Sequence, residues 1–132
     1  MKKSAGAVAF NSVILTPLFA MADIFLNGFT FTYTVADWPT VTQIAGQFIF
    51  FILMEDLAFY WAHRTLHHRW FYWIHKRHHE YKIPITLSAS YTHPIEFIVA
   101  GTIPYGIGYR LLATMMPVHL VTIFVWSVYR LL

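Results

Sequence analysis

"HRTLHHRWFYWIHKRHHEY", residues 63–81, holds six of the eight histidines of a 132-residue chain, and it lies between apolar segments. The surroundings decide how the stretch is read. The chain is 58% hydrophobic and 11% charged, with a mean hydropathy of +0.52, whereas soluble domains carry about 25% charged residues. Such a composition excludes an ordinary soluble domain and points to a membrane protein. The net charge is +3, but Arg64, Arg69, Lys76, Arg77 and Lys82 all fall in or beside the histidine stretch. That concentration reads as a cytoplasmic flank of membrane helices, with the lipid bilayer and no nucleic acid as partner. Cysteine is absent, so neither a disulfide nor a thiolate is available, and any metal must be held by nitrogen and oxygen.

Upstream, residues 1–22 have the basic start and apolar middle of a secretory signal. The apolar character runs on through Ile24, Phe25 and Leu26 toward Tyr33, and this length favours a membrane helix bent near Pro17. A second span is expected from about Thr40 to Trp61. The linker between them, residues 27–40, has no Lys or Arg, and its Asp37-Trp38-Pro39 reads as a turn at the far interface. Lys2, Lys3 and the basic group from Arg64 onward then place both outer ends of this hairpin in the cytoplasm. Downstream, residues 81–92 are rich in Ser and Thr and read as a loop. From His93 to Met116 the apolar chain is punctuated by Gly101, Pro104, Gly106 and Gly108, so a straight spanning helix is not expected there. Pro117 opens a last apolar segment that runs through Arg130. The expected fold is therefore all-α: integral membrane helical hairpins with a cytoplasmic histidine-rich helical region. A single domain is expected, with a membrane hairpin at about 5–62, histidine boxes at 63–93 and a second, shorter or re-entrant apolar hairpin at 94–132.

The second span carries Glu55 and Asp56 near its cytoplasmic end. Ionisable groups at such depth cost roughly 2.5–3.5 kcal/mol each, so they are expected to face a cavity or a partner. Asp56, Tyr60, His63 and His67 are spaced i, i+4, i+7 and i+11 and fall on one helical face. His63 and His67 can aim at one metal, His68 points away, and Asp56 can orient a ligand or serve as one. His75, His78 and His79 repeat the pattern at i, i+3 and i+4. Together the two groups supply five neutral nitrogen donors. That is more than a structural zinc site takes, and it suits iron, copper, zinc or nickel, with neighbouring carboxylates favouring a pair of metals. Trp61, Trp70, Phe71, Tyr72 and Trp73 read as a headgroup belt.

The box H-x3-H at His63 to His67, the box H-x2-HH at His75 to His79 and the following "SYTHPIEF" resemble the fatty acid hydroxylase superfamily. Within it, "HKRHHEYKIP…YTHPIE" is most similar to the sterol C4-methyl oxidases, although Ser90 stands where that subfamily commonly has an acidic residue. The resemblance implies a non-haem di-iron monooxygenase of sterol biosynthesis, an O2-dependent oxidoreductase acting on the C4 methyl group. Its ligands here would be His63, His67, His75, His78, His79 and His93. Glu96 would hydrogen-bond a ligating imidazole or serve the N-terminus of a helix, and His119, which matches no box, is expected to be structural. Electrons would come from a cytochrome b5-type donor and NAD(P)H through separate proteins. The substrate, a sterol or other lipid, would enter from the bilayer, in the endoplasmic reticulum if the source is eukaryotic. The superfamily carries a further H-x2-HH cluster downstream, so on this resemblance the ligand set ending at Leu132 is expected to be incomplete. Two other readings stand beside the sterol one: a fatty acyl or sphingolipid hydroxylase or sterol desaturase of the same superfamily, and a non-catalytic metal-binding membrane fragment.

Overall fold

The computed structural model describes residues 2–28, 31–80 and 91–131. Most of the loop expected at 81–92 lies outside the described residues. The chain is all-α, and the described residues form four long helical runs that alternate in direction. The first comprises α1 (Lys2–Ala9), a π-helical segment (Phe10–Leu15) and α2 (Thr16–Asn27). Pro17 cannot donate a backbone hydrogen bond, and its ring crowds the preceding turn. The π segment widens the helix just before it and absorbs the defect without ending the run. The Thr16 hydroxyl and backbone N–H both reach Asn11 O, five residues back.

A short 3₁₀ turn (Val35–Asp37) closes the linker, where the Thr34 hydroxyl donates to the Asp37 carboxylate. The 26-residue α3 (Val41–Leu66) begins on a capping box. Gln43 N–H donates to the Thr40 hydroxyl at 3.2 Å, while Thr40 N–H donates to the Gln43 side chain at 2.8 Å. Gly6–Leu26 and Val41–Leu66 are long and apolar enough to cross a membrane, and little of either is buried within the chain. Their large apolar side chains, Phe25 and Leu53 among them, face outward, as expected where lipid is the solvent.

After α4 (Tyr72–His75) and a 3₁₀ turn (His78–Glu80), the chain enters α5 (Pro94–Glu96), a second π segment (Phe97–Thr102) and α6 (Ile103–Ala113). The glycines and Pro104 do not break this run. The solution used at Pro17 recurs: a π segment precedes the proline, and the Thr102 hydroxyl donates to Phe97 O. The last helix, α7 (Leu120–Leu131), turns back. Its start is pinned by a two-residue parallel bridge between β1 (Phe31–Thr32) and β2 (Val118–His119), and by Gln47 Nε2, which donates to Pro117 O.

The core sits where α3, α6 and α7 meet. Phe51, Leu112, Val118 and Trp126 are buried, and Trp126 packs against both Phe48 and Phe51. At the closest approach of α3 and α6, a methyl group on Gly108 would lie 3.0 Å from Phe51 Cα. Cross-links fix the alternation of the runs. Asn11 Nδ2 donates to Thr92 O at the histidine end, whereas Asp23 pairs with Arg110 at the other. Arg130, near the end of α7, pairs with Glu55 of α3 at 2.5 Å and donates to Gly101 O in the π segment. The histidine-bearing end of α3 therefore lies beside the starts of α5 and α4. A second small core of Leu66, Ile74 and Ala100 locks these elements together.

Candidate metal centre

His63 projects from the last turn of α3, His67 is its C-cap, His75 closes α4, and His79 lies one turn further on. Their Nε2 atoms form a chain. His63 and His67 are 3.1 Å apart, His67 and His75 3.2 Å, and His75 and His79 2.9 Å. One nitrogen each from His63, His67 and His75 falls within 4.8 Å of the others. Two imidazoles that share an ion at about 2.0–2.1 Å have their nitrogens about 2.9 Å apart at a right angle and about 3.3 Å apart at a tetrahedral one. The observed separations fit such donors.

The proton inventory favours the same conclusion. His75 is completely buried, and its Nδ1 lies 2.6 Å from Glu96 Oε1 across 21 residues of sequence. With Nδ1–H donating to Glu96, His75 Nε2 carries only a lone pair, aimed at two other Nε2 atoms. Burial and the surrounding imidazoles of His63, His79, His67 and His78 bring the His75 pKa down to about 4, so the ring is neutral at physiological pH. Burial pushes the Glu96 carboxyl up to about 7, and the backbone amide of His93 works against that rise. A cation held on the Nε2 side of His75 would stabilise the carboxylate on its Nδ1 side, as a carboxylate behind a ligating imidazole does. His78 stacks on His75 with ring centroids 5.5 Å apart, its Nδ1 buried without a hydrogen-bond partner. Burial and His79 also lower its pKa. Tyr72 lies against His67 and His79, and Phe59 against His63.

Five of the histidines expected as ligands are thus gathered at one place. His93 is not. Its Nδ1 accepts the Ile95 N–H at 3.2 Å, and its ring meets Trp73 instead of another imidazole. His119 and His68 repeat this local bond, accepting from Val121 N and Trp70 N respectively, and His119 Nε2 donates to Thr34 O. Asp56 is exposed. It shares the face of His63 but lies seven residues down the helix, about 10 Å along the axis, so it does not reach the cluster. Glu55, its neighbour, is the one held, by Arg130. Of the two carboxylates considered from sequence, Glu96 takes the place behind the cluster and also occupies the first turn of its helix. The roles of Tyr72 and Phe59 had no signal beyond aromatic character.

Four imidazole nitrogens converge in front of a buried carboxylate at the end of an all-α apolar bundle, a donor set that could hold a metal ion. The family model described as fatty acid hydroxylase matches residues 48–132, and the chain belongs to that family. It is 39% identical over 99 residues to the C-4 methylsterol oxidase of Schizosaccharomyces pombe, a match covering 74% of this chain and 33% of that protein. It is 37% identical over 95 residues to methylsterol monooxygenase 2-2 of Arabidopsis thaliana, covering 71% and 34%. It is 40% identical over 95 residues to the very-long-chain aldehyde decarbonylase GL1-8 of Oryza sativa subsp. indica, again covering 71% and 34%. The matches thus span about a third of the length of these relatives. No solved structure matches.

Proposed function

We propose that the protein is a membrane oxidoreductase that hydroxylates the C4 methyl group of a sterol, using a non-haem iron pair held in part by His63, His67, His75, His78 and His79. The observation that carries this reading is the chain of Nε2 atoms at 2.9–3.2 Å backed by Glu96, in a chain related to methylsterol oxidases. Bound there, iron would supply the O2 activation that no side chain provides. Around it the protein's own groups have definite tasks. Glu96 holds the His75 tautomer, and His75 stays neutral because it is buried among other imidazoles. Phe59 packs against the His63 ring and Tyr72 against that of His79, which limits how these imidazoles can turn.

The balanced step consumes one methyl C–H, O2, two electrons and two protons, and yields the hydroxymethyl sterol and water. The electrons would come from a cytochrome b5-type donor reduced by NAD(P)H, and the exposed Arg64, Arg69, Lys76 and Arg77 suit an acidic carrier. The cluster lies at the end of α3, so a lipid in the bilayer can approach it sideways. We place this end on the cytoplasmic face, of the endoplasmic reticulum in a eukaryote, because the basic residues gather there.

The similarity to aldehyde decarbonylases supports a second reading, in which the same centre acts on a long-chain aldehyde. Membranes carrying the protein together with the downstream histidine cluster implied by the family resemblance, supplied with O2, NADH and a b5-type donor, are offered a 4-methylsterol and a long-chain aldehyde, and products are followed by mass spectrometry. A hydroxymethyl sterol that requires O2 and is lost in His67→Ala supports the first reading. Turnover of the aldehyde alone transfers the assignment to the second. Turnover of neither refutes both.

A further inference from the structure

His93 stands in the sequence where the histidine boxes suggest one more ligand, and the structure gives it another task. A neutral imidazole has one nitrogen with a lone pair and one with a proton. The His93 Nδ1 lone pair is taken by the Ile95 N–H, so its proton sits on Nε2 and neither nitrogen is left to bind a metal. The same Nδ1 bond at His119, with Nε2 donating to Thr34 O, shows that tautomer at a helix start elsewhere in the chain.

His93 is the N-cap of the run that opens with α5, and Pro94 occupies the first position. Glu96, three residues after the cap, lies buried in the first turn of that helix. His93 thus caps the helix through the Ile95 N–H at the second position, and Glu96 occupies the third. Glu96 is the residue whose carboxylate meets His75 at 2.6 Å. The segment entering the cap is anchored in turn, because Asn11 Nδ2 donates to Thr92 O.

We propose that His93 is a positioning residue: by capping the helix start it sets the Glu96 carboxylate against His75 Nδ1, and so aims His75 Nε2 at the metal. This inference rests on the reading of the histidine cluster as a metal centre, and the test separates the two. Cobalt(II) alone is titrated into the full chain in lipid nanodiscs, its visible d–d absorption giving both affinity and ligand field. Far-UV circular dichroism checks the helix content of each variant.

Glu96→Ala is expected to weaken binding about 10–100-fold, the usual effect of removing a group behind a ligand. His93→Ala should weaken it in the same direction with band positions unchanged. His93→Asn, which can cap but carries no imidazole, should restore the parent affinity. Because the two residues act through one link, His93→Ala combined with Glu96→Ala should bind no more weakly than Glu96→Ala by itself. Loss of affinity in His93→Asn equal to that in His93→Ala overturns the proposal, as does a double variant in which the two losses multiply. Since His93→Asn keeps the cap, it decides the matter even where His93→Ala loses helix. A parent chain that takes up no cobalt overturns the metal reading itself and this inference with it.

Discussion

Replacing Gly108 with alanine probes the contact that sets α3 against α6, and therefore the frame on which His63, His67 and Glu96 are mounted. The new methyl would lie 3.0 Å from Phe51 Cα, 3.3 Å from its Cδ1 and 3.4 Å from its carbonyl oxygen. Two of these atoms are backbone, so no rotamer change relieves the contact, and the helices must part by about 0.4 Å to reach an ordinary separation. Overpacking of this kind costs about 1–3 kcal/mol, against a gain of about 1 kcal/mol from replacing glycine inside a helix. Gly46→Ala is the matched control, since nothing lies within 4 Å of a methyl there. The helix-propensity term cancels between the two, and Gly108→Ala should be less stable than Gly46→Ala by the overpacking term, about 1–3 kcal/mol. Unfolding by SDS titration in mixed micelles, followed by far-UV circular dichroism and tryptophan fluorescence, measures the difference. Trp126 packs directly on Phe51, so its emission should shift in Gly108→Ala alone. Equal stability of the two variants, or greater stability of Gly108→Ala, would refute the close crossing.

Other perturbations have equally definite outcomes. Single cysteines at Thr34 and Lys76 should label from opposite sides of sealed vesicles, because the linker and the histidine region lie at opposite ends of α3; labelling from one side contradicts the hairpin. Glu55→Leu removes the ion pair of Arg130 and leaves it the Gly101 carbonyl and the face of the Tyr105 ring. It should destabilise by about 1–3 kcal/mol, while the Glu55→Leu, Arg130→Leu double variant recovers part of the loss in the same SDS assay. Asp56→Asn, too far down α3 to reach the cluster, should leave cobalt affinity unchanged, and a loss there would restore Asp56 to the site.

The helices and most of the cluster were legible because both depend on short-range periodicity. Hydropathy marked the two long spans, and the i, i+4 spacing at His63 and His67 sufficed to bring two imidazoles together. Asp56 was grouped with the cluster on angular phase, which says which face a residue occupies and nothing of its height. Seven residues turn the helix back to the same face but carry it about 10 Å along the axis. Glu96 stood open between two roles because its partner is 21 residues away, and only folding reveals that it fills both. His93 was grouped with the ligands on the family resemblance alone. The Pro that follows it and the Glu three positions on are the local signal that it starts a helix. Between Pro94 and Ala113, proline and glycine suggested interruption, and the chain instead continues through a π segment with a threonine hydroxyl bonding five residues back.

The central claim is that the histidine cluster binds a transition metal. Its most direct test is the metal content, by mass spectrometry, of the chain purified from iron-supplemented cells beside His67→Ala and His68→Ala. His67 sits within the Nε2 chain, touching both His63 and His75, whereas His68 is exposed and bonds locally. The account predicts iron in the parent chain and in His68→Ala well above that in His67→Ala. Iron in the parent chain no higher than in His67→Ala would contradict it.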